Sequence, residues 1–419
     1  MHILVLAFKS MMNRKFTIAL TIFSIALSIM LLLGVERLRN DARESFANTI
    51  SGTDLIVGAR SGSVQLLLYA VFRIGNPTNN VSWESYQDIK RQRLVAWTVP
   101  LSLGDSHHGF RVLGTNLDYF RHYRFGGGEA LQFATGVPFA DVYDAVIGAD
   151  VAKELNYQLG QEIVLAHGTG EVSFMQHADK PFRIVGILRK TGTPVDRTVH
   201  VSLEGIEAIH VGWESGAPRP GLSIDAEQTR QMNLQPKSIT AALVGLKSRL
   251  AAFRVQRFIN EYPEEPLLAA LPGVALQELW DTMAIAQRAL LAISILVVLV
   301  GISGMATAIL TSLNERRREM AVLRSVGARP WHIFVLFVGE AGVVMTLASL
   351  TGIAALYVTQ LIARPIIQSQ LGLFLPIHPP STHELMLIGA AVGAGLLVGL
   401  IPAYRAYRYS LADGMTIRL

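Results

Sequence analysis

The hydrophobic positions of this chain are concentrated in four long runs that contain almost no charge. Glu340 is the one charged residue inside them, and the runs lie at residues 16–35, 289–313, 333–363 and 385–404. A helix that crosses a bilayer needs about 20 consecutive apolar residues. Each run is at least that long, so the pattern predicts four transmembrane helices.

Residues 36–288, between the first two runs, have the mixed pattern of a globular domain. A strand is predicted at 53–59, and a helix at 82–92 begins after Ser82, a residue typical of the N-cap position. Strand, helix, turn and strand follow one another at 145–166. This alternation predicts an α+β domain with a β-rich insertion between two strand–helix parts. Residues 36–48 and 274–291 are predicted to form a helical stalk that carries it.

Composition and charge agree with a membrane protein and set its orientation. Of 419 residues, 51% are hydrophobic and only 16% are charged, whereas soluble domains carry about 25% charged residues. Short loops rich in Lys and Arg stay in the cytoplasm. Such residues cluster before residue 16, in 314–332 and in 405–419. Both termini are therefore predicted to be cytoplasmic, with 36–288 and the short loop 364–384 outside. This location explains the net charge of +5 without nucleic-acid binding.

Motifs for chemistry are absent from the sequence. It contains no P-loop, no G-x-S-x-G, no H-E-x-x-H and no cysteine. The adjacent His107 and His108 are expected on opposite faces of a strand. His167 and His177 flank a possible hairpin, and with no further ligands we assign no metal site. The glycine run at 126–129 is interpreted as a turn.

Two features of the apolar runs concern packing. Glu340 is expected to face other helices or a cavity, because a carboxylate in contact with lipid is costly; a structural contact is favoured over a proton relay. The fourth run carries two small-xxx-small patterns, typical of close helix packing within a chain or across a dimer. They are formed by Gly389, Gly393, Gly395 and Gly399.

The segment "NERRREMAVLRSVGARPWH" between the second and third runs is more than a basic anchor. Glu315 and Glu319 alternate with arginines at helical spacing, and Met320, Leu323 and Gly327 fall on one face. Gly327 is expected to end the helix, with Pro330 preventing its continuation. An amphipathic helix of this kind is suited to docking in a groove of a soluble partner.

This segment resembles the coupling helix of MacB/FtsX-type ABC transporter permeases, with the pattern E-R-x-x-E-[IM]-x-x-L-[RK]-[SA]-[IVL]-G-A. Three other stretches are similar to the same family: "LAFKSMMNRKFTIALTIFSIAL", "FVGEAGVVMTLASLTGIAALY" and "IPAYRAYRYSLADGMTIRL". The last departs from the common D-P at Ser410–Leu411. In the outside domain, "AVIGADVAKELNYQLGQEIVL" and "FRIVGILRKTGTPVDRTVHVSLE" look like the lipoprotein-releasing and antimicrobial-peptide branches. The chain as a whole resembles the lipoprotein-releasing or macrolide-exporter-like branch. The resemblance makes residues 1–15 a cytoplasmic surface helix.

The resemblance implies a non-catalytic permease of the bacterial inner membrane. It implies a dimer with a second copy or a related permease, two separate ABC ATPase subunits that bind the ATP and Mg, no cofactor in this chain, and contact with lipid. The implied ATPase contacts are Glu315, Arg316, Arg317, Glu319, Met320, Leu323, Arg324, Gly327 and Ala328.

The implied task is export or extraction of a lipoprotein, peptide or drug-like substrate, with a periplasmic accessory protein as a possible partner. The alternative is mechanotransmission to a periplasmic partner such as a cell-wall hydrolase, without transport. The large outside domain favours transport. A membrane enzyme or sensor would need a catalytic constellation or an output domain, and the sequence contains neither.

Overall fold

The computed structural model describes residues 14–168, 179–212, 225–315, 317–371 and 376–408. The chain divides into two compact units. The membrane unit comprises residues up to 41, 284–366 and those from 375 onward, and the α/β unit comprises 42–283 with 367–374.

The α-helices of the described residues are numbered here in chain order. They are α1 Lys15–Thr49, α2 Ser63–Ala70, α3 Trp83–Arg91, α4 Asp118–His122, α5 Ala149–Glu154, α6 Leu203–His210, α7 Ala226–Arg230, α8 Ala252–Asn260, α9 Pro272–Glu315, α10 Arg317–Ser325, α11 Pro330–Leu371 and α12 Thr382–Arg408. Short 3₁₀ turns occupy Pro194–Arg197 and Arg249–Ala251.

The strands of the described residues all belong to the α/β unit. They are β1 Leu55–Ala59, β2 Val81–Ser82, β3 Val95–His107, β4 Phe110–Thr115, β5 Arg124–Phe125, β6 Glu129–Ala130, β7 Phe133–Gly136, β8 Asp144–Ile147, β9 Glu162–Ile163, β10 Ala166–His167, β11 Phe182–Leu188, β12 Thr198–Ser202, β13 Ser238–Ile239, β14 Ala241–Leu246 and β15 Leu267–Ala270.

The four apolar runs fall within α1, α9, α11 and α12, each long and apolar enough to cross a membrane. The helices extend beyond the runs. In particular α11 continues to Leu371, so the first part of the predicted loop 364–384 is helical. Ile366 and Ile367 prolong the apolar pattern past Arg364, and the helix accommodates Pro365 in its interior.

Close backbone approach holds the membrane unit together. Ile25 and Ile29 of α1 are buried together with Phe337 and Met345 of α11. At Gly352 a Cβ atom would lie 2.7 Å from the carbonyl oxygen of Ala26. Only glycine lets α11 approach α1 so closely, which buries apolar side chains on both helices.

The α/β unit is built on one continuous sheet with the strand order β15-β1-β14-β3-β4-β12-β8-β11-β7. The long strand β3 pairs with β14 through Val95–Leu101 and with β4 through Ser102–His107, so it joins two parts. The pairs β4–β12 and β8–β11 are parallel, and the other neighbours are antiparallel. The predicted class, four apolar helices with an α+β domain, is confirmed.

Alternating side chains of the sheet separate its cores. Leu55 and Val57 of β1 pack with residues of α3 and α8, while Ile56 faces the opposite side with Leu66 and Leu67 of α2. A further core beyond β4 includes residues of α5 and α6. Successive side chains of a strand point to opposite faces, so one strand serves two layers.

The two helices predicted as a stalk contact each other within the α/β unit. The ring of Phe46 in α1 lies 5.5 Å from that of Trp280 in α9, edge to face. The guanidinium of Arg43 lies 5.5 Å from the centroid of the same indole ring. Aromatic and cation–π contacts of this geometry are favourable beyond the area that they bury.

Candidate coupling site

Helix α10 ends where the sequence predicts, and its hydrogen bonds explain why. The amide of Ala328 donates to the carbonyl of Leu323 at 3.0 Å, and that of Gly327 donates to Arg324 at 3.1 Å. This paired arrangement is the Schellman motif, which requires a left-handed residue just past the helix. Gly327 has φ of +102°, a conformation that glycine adopts without strain. Pro330 then begins α11, where its missing N–H is tolerated.

The apolar residues of α10 point in two directions. Met320 is only 5% exposed and belongs to the buried cluster of Ile333 and Phe337. In this structure Met320 therefore holds the helix on its own unit, and its contact with an ATPase stays a prediction. Val322 and Val326 are 57% and 84% exposed. With about 100° between successive residues, these valines lie on the side opposite Met320.

The predicted set of ATPase contacts therefore did not include the two exposed valines of this segment. Val322 and Val326 stand one helical turn apart, and this spacing in the sequence would have identified them. The spacing alone does not say which of the two apolar faces packs inward. Trp331, 62% exposed, adds an aromatic side chain that stacks on Phe334 with ring centroids 5.2 Å apart.

The charged residues of the segment stay a prediction. Arg316 lies outside the described residues, and so do the side chains of Glu315, Arg317 and Glu319. Arg324, Leu323 and Ala328 are half-buried, and Gly327 is exposed.

Glu340 faces the interior of the membrane unit, as expected. It is 7% exposed and lines a cavity of about 400 Å³ between α1, α9 and α11. Arg14 just before α1, Thr21 of α1 and Ser312 of α9 line the same cavity. The Arg14 guanidinium donates to the carbonyl of Ser312 at 3.3 Å. Burial among helices avoids the cost of a carboxylate in lipid.

The four glycines of α12 divide into two pairs. A Cβ at Gly395 would lie 2.6 Å from the side chain of Met345, and one at Gly399 would lie 2.7 Å from the Cβ of Ala341. These two glycines therefore seat α12 on α11 within the chain. At Gly389 and Gly393 a Cβ would meet no heavy atom of the described chain within 4 Å. Their contact with a second permease copy stays a prediction.

The adjacent histidines of the α/β unit do not face opposite sides, so that prediction was wrong. His108 has φ of +47° because it starts the tight turn from β3 to β4, and its ring lies 4.5 Å from that of His107. His107 is buried, with Nδ1 2.7 Å from the Val164 carbonyl oxygen and Nε2 2.8 Å from the Tyr157 hydroxyl. Burial lowers the pKa of His107.

Metal ligation finds no support in the part of the chain that the structure describes. Its residues contain no group of three or more His, Cys, Asp or Glu side chains arranged to hold a metal ion. His177 and the side chain of His167 lie outside that part.

Two family models match the chain. The MacB-like periplasmic core domain matches residues 18–241, more than half of the sequence, and the FtsX-like permease C-terminal domain matches residues 291–411. The chain belongs to the MacB/FtsX-type ABC transporter permeases. This permease is a membrane protein with a MacB-like periplasmic domain, and its family supplies the generally non-catalytic component of ABC transporters.

Individual relatives are similar over shorter stretches. The macrolide export ATP-binding/permease protein MacB of Marinobacter nauticus is 36% identical over 108 residues, which cover 26% of this chain and 16% of that protein. The MacB protein of Wolinella succinogenes is 34% identical over 129 residues, or 30% and 18% of the two chains. The match thus spans less than a fifth of the length of these relatives.

Two solved structures with detectable similarity are of a periplasmic and an extracellular region. The periplasmic region of MacB from Actinobacillus actinomycetemcomitans covers 55% of this chain and 94% of its own, at 11% identity and a TM-score of 0.34. The extracellular domain of the noncanonic ABC-type transporter YknZ from Gram-positive bacteria covers 52% and 98%, at 14% identity and a TM-score of 0.30.

Proposed function

We propose that this permease couples ATP hydrolysis on a separate ATPase chain to movement of its periplasmic domain. The ATPase would dock on α10 and the turn that follows it. Movement of the domain would then export or extract a substrate such as a lipoprotein, peptide or drug-like molecule.

The exposed apolar face of α10 carries the proposal. A basic segment that only sets orientation needs neither an ordered stop nor exposed valines. Here Gly327 ends the helix with a Schellman motif, and Val322, Val326 and Trp331 remain exposed. An apolar stripe on a short helix, flanked by charges, is the kind of surface that enters a groove on a partner. The printed sequence contains no P-loop, and the proposal assigns hydrolysis to a separate chain.

Orientation follows from the distribution of basic residues. The arginines around α10 and those after residue 404 support the proposal that both ends of the membrane unit and α10 are cytoplasmic. An ATPase in the cytoplasm would therefore meet α10, while 36–288 lies on the other side. Two ATPase copies and two permease copies form the proposed assembly.

Purification of the chain from its native membrane in mild detergent, with identification of co-purifying proteins, tests the proposal. We expect an ABC-type ATPase. A cell-wall hydrolase in addition would favour mechanotransmission over transport. Repeated recovery of the chain without any ATPase would contradict the coupling mechanism.

Substitutions in α10 and in the residues on either side of it locate the contact. Val322→Asp with Val326→Asp, and separately Glu315→Arg with Glu319→Arg, should abolish recovery of the ATPase while membrane insertion stays normal. The matched control is Val137→Asp, since Val137 is also an exposed valine (61%) but lies in the α/β unit. Normal ATPase recruitment by both double variants would refute the assignment of α10.

A further inference from the structure

A buried ion pair joins α1 to α12 within the membrane unit. The Arg37 Nε donates to Glu384 Oε1 at 2.9 Å, and its Nη2 donates to Oε2 at 2.7 Å. Each side chain is only 2% exposed. Two parallel bonds between a guanidinium and a carboxylate fix the orientation as well as the distance of the partners.

Arg37 also reaches α11. Its Nη1 donates to Gln360 Oε1 at 3.1 Å, and its guanidinium lies 5.0 Å from the centroid of the Tyr357 ring. One side chain of α1 therefore contacts both α11 and α12. We call Arg37, Glu384, Gln360 and Tyr357 the Arg37 clasp.

Glu384 is itself held in place by the start of α12. The amide of Ser381 donates to Glu384 Oε2 at 3.0 Å, and the amide of Glu384 donates to Ser381 Oγ at 3.2 Å. This reciprocal capping box fixes the carboxylate relative to the backbone of its own helix. Movement of Arg37 relative to Glu384 would thus have to break the pair, because the carboxylate cannot follow.

A second set of contacts lies beside the clasp. His378 Nε2 is 3.1 Å from Asp41 Oδ1, and the Tyr357 hydroxyl donates to the carbonyl of His378 at 2.9 Å. His383 Nε2 lies 3.4 Å from Glu36 Oε1. Several side chains therefore connect α1, α11, the segment before α12 and α12 itself.

Residues 284–293 of helix α9 have fewer polar contacts with the other helices of the membrane unit. Ile285, Ile293 and Leu296 are 79%, 52% and 60% exposed. Across the described membrane unit, no side chain of residues 284–293 is seen in a hydrogen bond or ion pair with α1, α11 or α12. The first polar link is Ser28 Oγ, which donates to the carbonyl of Val297 at 3.2 Å.

We propose that the Arg37 clasp makes α1, α11 and α12 move as one body, so that motion arising at α10 appears as displacement of this body against α9. The inference rests on the proposed function. A buried ion pair adds little net stability compared with an apolar pair, but separating it leaves two buried charges without partners. Such a pair specifies which surfaces stay together. Arg37 and Glu384 are therefore positioning residues of the coupling motion.

Spin-label distances in the full chain, reconstituted with its ATPase, test the proposal. The sequence has no cysteine, so cysteine pairs can be introduced directly. Leu38→Cys with Leu385→Cys reports α1 against α12, and Ile285→Cys with Leu385→Cys reports α9 against α12. All three positions are exposed, at 49%, 55% and 79% for Leu38, Leu385 and Ile285.

In the otherwise unchanged protein, ATP should change the Leu38–Leu385 distance by less than about 2 Å, the scale of small helix shifts at packed interfaces. The Ile285–Leu385 distance should change by more. Arg37→Met should broaden the Leu38–Leu385 distribution even without nucleotide, and Arg37→Lys should do so less. Arg39→Met is the matched control, because the partner of Arg39 is Glu36 on the same helix.

Two results would overturn the clasp. One is a Leu38–Leu385 change with ATP as large as that of the Ile285 pair; the other is an unchanged distribution in Arg37→Met. If that variant does not fold, Arg37→Lys, which keeps the charge but loses the two parallel bonds, provides the reading, and an unchanged Leu38–Leu385 distribution in it would overturn the clasp. An Ile285–Leu385 distance that does not change when ATP is added would instead contradict the proposed function. The distributions measured without nucleotide would still test the clasp.

Discussion

Acid should destabilise the α/β unit through a histidine buried in its core. His200 of β12 is fully buried, with Nδ1 3.2 Å from the carbonyl oxygen of Val146 and its ring 5.3 Å from that of Tyr119. Burial lowers the pKa of His200 to about 3. A histidine in an unfolded chain titrates near pH 6.5. Below that pH the unfolded chain binds a proton at His200 and the folded chain does not, so acid favours unfolding.

The size of this effect follows from the width of the window. Each pH unit below about 6.5 costs about 1.4 kcal/mol while folded His200 stays neutral, so the free energy of unfolding should fall by about 2 kcal/mol at pH 5. For a domain of this size that corresponds to about 4–8 °C in Tm. The depressed pKa of buried His107 acts in the same direction. Burial raises the pKa of Asp196, which acts in the opposite direction at more acidic pH.

Urea denaturation of the full chain between pH 5 and 7.5, monitored by hydrogen exchange of the β8 and β12 amides, measures how the free energy of unfolding changes with pH. His200→Gln keeps a donor for the Val146 carbonyl but cannot be protonated, so its stability should depend on pH much less. His122→Gln is the control, since His122 lies in the same unit, is half-buried and stacks on Trp97. Equal slopes for His200→Gln and the unchanged protein would refute the reasoning.

Two further predictions concern the membrane unit. Gly395→Leu should lower stability by about 1–3 kcal/mol, because overpacking forces neighbours such as Met345 to move; Gly393→Leu, where the space is open, should be close to neutral, and equal shifts in Tm would contradict the assigned packing. His378 should stabilise the unit most in acid. Its Nδ1 and Nε2 face the Pro379 carbonyl and the Asp41 carboxylate, which together raise its pKa, whereas nearby Arg37 lowers it. Its contribution is then complete below about pH 6.5 and is lost as pH rises through the raised pKa. The Tm advantage over His378→Gln should therefore shrink with rising pH, and an advantage that grows would exclude this mechanism.

Much of the fold was readable from local pattern. The apolar runs identify the long helices because length alone distinguishes a span, and Ser82 marks the start of α3 by accepting from the Ser85 amide. Gly327 indicates where α10 ends, because the Schellman motif there needs a residue in the left-handed conformation. In each case the deciding interaction lies within a few residues of the signal.

Other features depend on contacts between distant residues, and no local pattern contains them. Arg37 and Glu384 are separated by 347 positions. The box S-x-x-E at 381–384 predicts where α12 begins, but it does not say that its carboxylate also binds an arginine of α1. Likewise, the spacing of Met320 and Val322 defines two apolar faces of α10, and only the burial of Met320 in the core cluster that includes Phe337 shows which face is exposed.

The two ends of the membrane unit are thus specialised in opposite ways. Around α10, apolar residues are left exposed on a helix that its own chain holds through Met320. At the Arg37 clasp, charged residues are buried and satisfied by one another. An exposed apolar surface is stabilised only when a partner covers it, and so it can bind and release that partner. Opening a buried bidentate ion pair raises the free energy, and so the pair favours a fixed arrangement. The proposed coupling, in which force enters at α10 and passes through the Arg37 clasp, requires this combination, a reversible contact followed by a rigid joint.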